Sequence, residues 1–247
     1  MNNLRITNLD VAKKVIITGD LQRADRIALV LDNCNLIAEN REFKTYTGYW
    51  KNEKVSVVST GIGAPAAAIV VEELHMAGVE TIIRVGTSGA ISKDVKVGDI
   101  IIATGAYRDE GTTKQYVASE FPAVADYRVV NALVGMARKK GMKTVTGIVH
   151  TKDALAMELP EEMPLCKNIK EKWEMLQKAN ILVTEMESSV LMVLSSIYKM
   201  KAGAVIVSAG LTYNGQPDVP YKLYEKSIED AIILTLDTLA DMSDEEE

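Results

Sequence analysis

The sequence predicts an α/β protein with one domain, in which helices flank a central mixed, largely parallel twisted sheet. Two observations support this fold class. Short runs of β-branched apolar residues alternate with longer segments of helical period, the pattern that places strands side by side with helices packed over them. No linker rich in proline, serine or glycine divides the 247 residues. One domain over residues 1–240 is therefore expected, followed by an acidic disordered tail, 241–247.

Seven apolar runs have the length of buried strands. Valine and isoleucine dominate them, as is typical of strands that helices cover on both faces. The predicted strands are residues 15–18, 55–60, 81–85, 99–107, 143–149, 181–184 and 204–210.

Six segments repeat apolar residues every three or four positions, which predicts amphipathic helices. Gly78 and Gly141 follow two of them, where glycine commonly ends a helix. The segment 155–170 contains Pro160 and Pro164 and has no clear period, so we expect a long loop or lid there. The predicted helices are residues 21–31, 64–78, 127–141, 169–179, 186–199 and 221–240.

The composition excludes several classes of function. The chain has 28 basic and 34 acidic residues, a formal charge of −6, and proteins that bind nucleic acids or anionic membranes need a basic face. No apolar run approaches the ~18 residues that span a bilayer. Cys34 and Cys166 have no metal-ligand spacing, and the first residues lack the apolar core of a signal peptide. We therefore expect a cytoplasmic protein without a bound metal.

Two strand ends carry arginines suited to binding an anion. Gly19 follows the first strand, and Arg23 lies in the first turn of the next helix, where backbone N–H groups and the helix dipole favour negative charge. Arg84 ends a buried strand and precedes Thr87 and a second glycine-rich turn. A buried guanidinium needs a partner, which is either an oxyanion or a structural carboxylate.

A glycine-rich turn also follows the second strand. Gly61 and Gly63 permit a tight turn before a helix, but Ala66 stands where a dinucleotide-binding fingerprint needs its third glycine. The turn therefore argues against a dinucleotide cofactor. A ligand loop and simple close packing of the helix on the sheet both remain open.

Two glutamates flank Met186 at the junction between a strand and a helix. Carboxylates accept hydrogen bonds from the vicinal hydroxyls of a sugar, although acidic residues are also common at helix N-termini for electrostatic reasons. Combined with the arginine-based anion site, Glu185 and Glu187 predict a reaction that uses phosphate and a sugar.

Six segments in order along the chain resemble the nucleoside phosphorylase-I family of purine nucleoside and uridine phosphorylases. They are GDLQR (19–23), REF (41–43), TGIGAPAAAIVVEEL (60–74), RVGTSGAI (84–91), EFPAVAD (120–126) and EMES (185–188). The resemblance implies the phosphorylase-like fold, inorganic phosphate as the co-substrate and no other cofactor. It also implies a homo-oligomer, expected to be a hexamer built as a trimer of dimers.

The resemblance assigns roles to individual residues. Arg84 and Glu187 are the catalytic residues that it implies, and Arg41 is expected to reach the site of a neighbouring subunit. Asn3 stands near the position of a histidine that binds the ribose 5′-hydroxyl in the family. The implied phosphate site is Gly19, Arg23, Arg41, Arg84 and Thr87, and the implied ribose site is Asn3, Glu185, Met186 and Glu187.

The base is the part of the substrate that the residues leave open. The aspartate of purine-specific members falls on Ala209 or Gly210, and the two uracil-binding positions fall on Leu159 and Glu161. We expect Leu155, Ala209 and Gly210 to contact the base. Losing both uracil-binding donors favours a purine nucleoside, with uridine phosphorylase as the alternative. A nucleosidase that uses water, and a non-catalytic homologue, are the lesser alternatives.

Overall fold

The computed structural model describes residues 2–216 and 218–242. Over that part of the chain the strands are β1 (Lys14–Thr18), β2 (Asp32–Asn40), β3 (Phe43–Trp50), β4 (Glu53–Ser59), β5 (Thr81–Ala90), β6 (Ile100–Asp109), β7 (Ala123–Val124), β8 (Thr144–Lys152), β9 (Val183–Glu185) and β10 (Lys201–Gly210). The α-helices are α1 (Leu21–Leu29), α2 (Ala64–Met76), α3 (Tyr127–Lys139), α4 (Cys166–Lys178), α5 (Ser188–Ile197) and α6 (Glu225–Asp241).

The described strands form one mixed, ten-stranded sheet, as predicted. Its order is β10-β6-β8-β9-β5-β1-β4-β3-β2, with β7 paired to β6. Strand β10 also pairs with β5 in parallel, so β5, β10, β6, β8 and β9 close into a ring. Strands β1, β4, β5 and β10 run parallel to one another, so their carboxyl ends lie at one edge, where ligands bind in such sheets. Strand β8 runs in the opposite direction, and its carboxyl end joins the end of β5 through β9, which pairs with both.

Two apolar cores lie on opposite faces of the sheet. Helices α1, α3 and α6 contribute to one core and α2 and α5 to the other. Side chains buried from water in this way supply most of the favourable free energy of folding. The helices begin where the sequence supplies caps: the carboxylates of Asp20 and Asp126 accept hydrogen bonds from the N–H groups of Gln22 and Arg128.

All seven predicted strands and all six predicted helices exist, with shifted ends. Strand β5 extends five residues beyond the predicted end at 85, to Ala90. Strands β2, β3 and β7 were not predicted. β2 is an edge strand whose side chains are mostly exposed or half-buried, so it lacks the apolar alternation that identifies a strand in sequence.

The segment 155–170 is only partly the loop that we predicted. Residues Leu155–Glu158 and Pro160–Glu162 form short 3₁₀ turns, and α4 begins at Cys166. Most of the predicted tail, residues 243–247, lies outside the described part of the chain, and Asp241 is the last residue of α6. No helix within the described ranges has the length and apolarity needed to cross a membrane.

Candidate active site

A cavity of about 1070 Å³ opens at the carboxyl ends of the sheet strands. Residues from the ends of β1, β5, β8, β9 and β10 line it, together with the turns that follow them. The predicted site residues found in its wall are Gly19, Arg23, Arg84, Thr87, Leu155, Glu185, Met186, Glu187 and Ala209. The fold thus brings together nine residues from distant parts of the sequence.

Two buried arginines form the cationic end of the cavity. Arg23 Nη1 donates to Thr18 Oγ1 (3.2 Å) and to the carbonyl oxygen of Val85 (3.3 Å). Burial lowers the pKa of Arg23 to about 10, and the charge of Arg84 acts in the same direction, so Arg23 remains cationic at neutral pH. The two guanidinium groups are close enough for Arg84 to influence the pKa of Arg23, so this end of the cavity concentrates N–H donors that an anion can use.

Each of these two arginines also has one buried N–H group that forms no hydrogen bond with the described residues. Arg23 Nε and Arg84 Nη1 are buried, and neither donates a hydrogen bond to any of the described residues. A buried donor that is left unpaired costs free energy, which an oxyanion in the cavity would recover. Gly19 lies beside this position: a Cβ there would lie 3.9 Å from Arg84 Nη1, so the glycine keeps the approach open.

The carboxylates of Glu185 and Glu187 hold the other nitrogens of Arg84. Arg84 Nε lies 3.2 Å from Glu185 Oε2, and Arg84 Nη2 lies 2.5 Å from Glu187 Oε2. The structural ion pair of Arg84 is therefore confirmed, and its Nη1 is left without a partner among the described residues. A buried arginine bound on two sides is fixed in orientation, which suits it to positioning an anion.

Glu185 and Glu187 differ in their surroundings. Glu185 accepts hydrogen bonds from the N–H groups of Glu187 and Ser188 and from Thr151 Oγ1, so its acceptor capacity is largely used within the protein. Glu187 accepts one N–H, from Gly63, at 2.5 Å. Burial raises the pKa of Glu187, against the opposing charge of Arg84. Glu187 is thus the carboxylate better placed to accept hydroxyl groups from a ligand.

The glycine-rich turn after β4 reaches this site through Gly63. Gly61 and Gly63 have positive φ angles of 68° and 98°, a conformation that favours glycine. This backbone aims the Gly63 N–H at Glu187. The turn therefore orients Glu187. The sequence had left open a ligand loop or simple packing of the helix on the sheet, and neither specified this contact.

Three predicted site residues lie outside the wall of this cavity: Asn3, Arg41 and Gly210. Arg41 is exposed at the turn between β2 and β3. The Asn40 side chain donates to the backbone oxygen of Asn3 (2.8 Å), so the Asn3 and Arg41 regions adjoin each other away from the cavity. Their predicted contact with a second subunit stays a prediction.

Ala209 lies in the cavity wall and Gly210 does not, because β10 is irregular at its end. The pairing of β10 with β5 shifts register between Ser208 and Gly210, and Gly210 pairs with Gly89. A bulge of this kind redirects one residue out of the strand alternation. Here the unpaired residue is Ala209, which lines the cavity, whereas Gly210 remains paired in the sheet.

The cavity wall also holds an ion pair that was not predicted from the sequence. Lys152, the last residue of β8, and Glu158, in the 3₁₀ turn after it, form an ion pair with an Nζ–Oε1 distance of 2.6 Å. One signal was available, since Lys152 ends an apolar strand as Arg84 does. Glu158 lies in a segment whose apolar residues show no helical or strand repeat, so the sequence did not indicate that it pairs with Lys152.

The chain is similar to known proteins over most of its length. The family model described as phosphorylase superfamily matches residues 13–236. A uridine phosphorylase from Treponema pallidum is 42% identical over 202 residues, 81% of this chain and 78% of its own. A guanosine phosphorylase from Halorubrum lacusprofundi is 37% identical over 243 residues, 96% of this chain and 97% of its own.

Solved structures give the same result for the fold. The crystal structure of uridine phosphorylase from Vibrio fischeri ES114 aligns with a TM-score of 0.87 and 28% sequence identity. The alignment covers 98% of this chain and 97% of that one. The likeness of fold therefore extends over almost the whole chain.

Proposed function

Because the chain belongs to the phosphorylase superfamily, we propose that it is a nucleoside phosphorylase that cleaves uridine with inorganic phosphate. The observation that carries the proposal is the pairing, in one cavity, of a two-arginine anion site with a buried carboxylate. These groups match the two reactants, phosphate and the ribose diol. The products are uracil and ribose 1-phosphate.

The reaction needs no covalent bond to the protein. A phosphate oxygen held by Arg23 and Arg84 attacks C1′ as the bond from C1′ to the base nitrogen breaks. The bonding electrons leave with the base, which takes up a proton through water, and the new sugar phosphate releases its P–OH proton to the same solvent, so the protons balance. Glycosyl transfer of this kind passes through an oxocarbenium-like transition state. The protein contributes alignment of the two reactants and electrostatic stabilisation of the separating charges.

Glu187 has a defined part in this mechanism. Its carboxylate accepts the ribose 2′- and 3′-hydroxyls, which fixes C1′ relative to the phosphate. The negative charge also lies near the sugar as positive charge develops on it, an interaction that strengthens toward the transition state. Arg84 joins the two halves of the site because it contacts Glu187 and borders the phosphate position.

The choice of uridine is supported by the relatives. Uridine phosphorylases from Treponema pallidum, Thermococcus kodakarensis and Haemophilus influenzae are 42%, 41% and 35% identical to this chain. They favour uridine over the purine nucleoside that the sequence analysis preferred. That preference rested on absent uracil donors at two positions, and it overlooked the cation of Lys152 in the cavity wall.

Guanosine is the second candidate substrate. The Halorubrum lacusprofundi guanosine phosphorylase matches 96% of this chain, a longer stretch than the 81% matched by the Treponema pallidum enzyme. The cavity volume of about 1070 Å³ is larger than a pyrimidine nucleoside and phosphate need, so a purine also fits.

We further propose that the working enzyme is a homo-oligomer in which Arg41 enters a neighbour's site. Arg41 is exposed and lies beyond the cavity of its own chain. A third guanidinium from a partner would complete the phosphate site, and symmetric oligomers commonly form sites between subunits in this way.

A panel of nucleosides, assayed with and without phosphate, tests the proposed function. Uridine, guanosine, inosine, adenosine and cytidine are each incubated with the protein, and the released base is quantified. We expect release from uridine, or from guanosine as the second candidate, only when phosphate is present. Equal release without phosphate identifies a nucleosidase, and no release from any nucleoside contradicts the proposal.

A further inference from the structure

The Lys152–Glu158 ion pair lies in the cavity wall, and the proposed mechanism does not use it. The exposed fractions of the two residues are 1% and 8%. Burying an ion pair costs desolvation energy, and well-packed apolar residues often stabilise a protein as well or better. A buried charge pair in a cleft is therefore a candidate for a functional role.

Both charged groups keep unused hydrogen-bonding capacity. Lys152 Nζ donates to Glu158 Oε1 (2.6 Å) and to Thr184 Oγ1 (3.1 Å), and an ammonium group has three N–H donors. Glu158 accepts from Lys152 and, at Oε2, from Thr212 Oγ1 (3.2 Å), whereas a carboxylate has about four acceptor positions. One N–H donor of Lys152 and at least one acceptor position of Glu158 are thus unused among the described residues, and both residues line the cavity.

The backbone of β5 leaves room for this arrangement. A Cβ at Gly89 would approach Glu158 Oε2 to 2.9 Å and would also collide with Thr212 Oγ1. Glu158 and Thr212 therefore hold their positions because position 89 has no side chain. Thr184 and Thr212 fix the two charged groups from opposite ends of the pair.

The pair lines the same cavity as the groups assigned to phosphate and ribose and, within the described part of the chain, makes no hydrogen bond or ion pair with them. Arg23 and Arg84 serve the phosphate and Glu187 serves the ribose. Near the ion pair, the cavity wall also includes the apolar side chains of Leu155, Leu159 and Ala209. Apolar surfaces with a few fixed polar groups are typical of sites for flat heterocycles.

We propose that Lys152 and Glu158 select the base by its lactam edge, a carbonyl oxygen next to a ring N–H. Lys152 donates to the carbonyl oxygen, and Glu158 accepts the ring N–H. Uracil, hypoxanthine and guanine carry this edge. Cytosine and adenine present the reverse pattern, an amino donor beside a ring nitrogen that accepts. This selection rests on the proposed function, and it includes the bases of both candidate substrates, uridine and guanosine.

The test combines binding of free bases with turnover. Uracil, hypoxanthine, cytosine and adenine are titrated into the full-length protein by calorimetry at saturating phosphate, and kcat/KM is measured for the matching nucleosides. The variants are Glu158→Gln and the double variant Lys152→Met/Glu158→Met. Removing both charges together avoids leaving one of them buried alone, so the double variant is expected to fold. Thermal unfolding checks this.

We expect the wild type to bind uracil or hypoxanthine and to discriminate against cytosine and adenine. Both variants lose about 10- to 100-fold in affinity and in kcat/KM for the lactam bases, the range for a lost hydrogen bond to a charged group. The affinity for phosphate stays unchanged. The matched control is Lys167→Met/Glu171→Met, which removes an exposed ion pair of 3.9 Å from α4 and should leave binding and turnover as in the wild type.

Two results overturn the selection by Lys152 and Glu158. One is a folded double variant that keeps the lactam preference within about twofold, which would make the pair purely structural. The other is a wild type that binds no free base or binds cytosine and adenine equally well. Failure of the proposed function looks different: selective binding of lactam bases without phosphate-dependent cleavage would reject phosphorolysis and keep the base site.

Discussion

At the scale of single residues, Arg84 is the residue that links the phosphate and ribose positions of the proposed site. It contacts Glu185 and Glu187 through two nitrogens, and its third nitrogen, Nη1, has no partner among the described residues. The sequence predicted this residue from one physical argument, that an arginine ending a buried strand must have a partner. It could not predict the double contact with Glu185 and Glu187, which depends on strand β9 pairing next to β5.

Replacing Arg84 with alanine should reduce phosphate-dependent cleavage by about 10²-fold or more, since removing one electrostatic donor from a reaction centre has effects of that size. Steady-state kinetics measure the loss, and circular dichroism checks the fold. Arg138→Ala is the control, because Arg138 is exposed on α3. Activity of R84A equal to the wild type would remove the anion-site assignment.

Replacing Glu187 with glutamine should impair ribosides far more than 2′,3′-dideoxyribosides. The expected loss for ribosides is about 10- to 100-fold in kcat/KM, because two charge-assisted hydrogen bonds to the diol are weakened. Substrates without the hydroxyls never formed those bonds. The comparison uses matched pairs of nucleosides, and equal losses for both members of a pair would contradict the diol assignment.

At the scale of secondary-structure elements, the site depends on where strands end. Apolar runs in the sequence predicted β1, β5 and β9, and thereby predicted that Gly19, Arg84 and Glu185 meet at one edge. The edge strand β2 had no such signal, because it is not buried on either face. The bulge at Ala209 could not be predicted from the sequence either, because it depends on the register in which β10 pairs with β5.

Helix α6 is held to the sheet by one buried carboxylate. Asp237 accepts hydrogen bonds from Trp50 Nε1 (2.8 Å) and Lys140 Nζ (2.5 Å), and it lies 2.6 Å from Lys51 Nζ. Burial raises its pKa, but the hydrogen bonds from Lys140, Lys51 and Trp50 outweigh burial and lower the pKa to about 2. The ionised form of Asp237 therefore stabilises the folded state.

Asp237→Asn should lower the free energy of unfolding by about 2 kcal/mol at neutral pH, the size that a pKa lowered by nearly two units implies. Because the folded pKa lies below the unfolded one, this stabilisation is present above about pH 4 and is lost as the pH falls toward 2. Urea unfolding at several pH values measures it. Asp241→Asn is the control, since Asp241 is exposed and 3.8 Å from Lys139. A difference that does not shrink in acid would contradict this assignment.

At the scale of the whole molecule, the order of motifs identified the family, and the fold agrees over the full domain. The base specificity could not be derived in the same way. Lys152 and Glu158 become partners only when the turn 155–158 folds back on the end of β8. The role of Arg41 likewise depends on a second chain, which lies beyond what one sequence specifies.

Mixing two inactive variants tests whether Arg41 acts in a neighbour's site. Arg41→Ala and Glu187→Gln subunits are exchanged at equal concentrations. If a pair of subunits shares its sites symmetrically, half of the pairs are mixed and one of their two sites is intact, so about one quarter of wild-type activity should return. Activity no higher than the mean of the two parent variants would place Arg41 outside the neighbour's site.

The most direct test of phosphorolysis is to identify the sugar product. Wild-type protein is incubated with phosphate and uridine or guanosine, and the mixture is followed by ³¹P nuclear magnetic resonance together with a base assay. The arginine site and the Glu187 carboxylate predict ribose 1-phosphate in a one-to-one ratio with the released base. Release of base accompanied by free ribose, with the phosphate signal unchanged, would contradict the account.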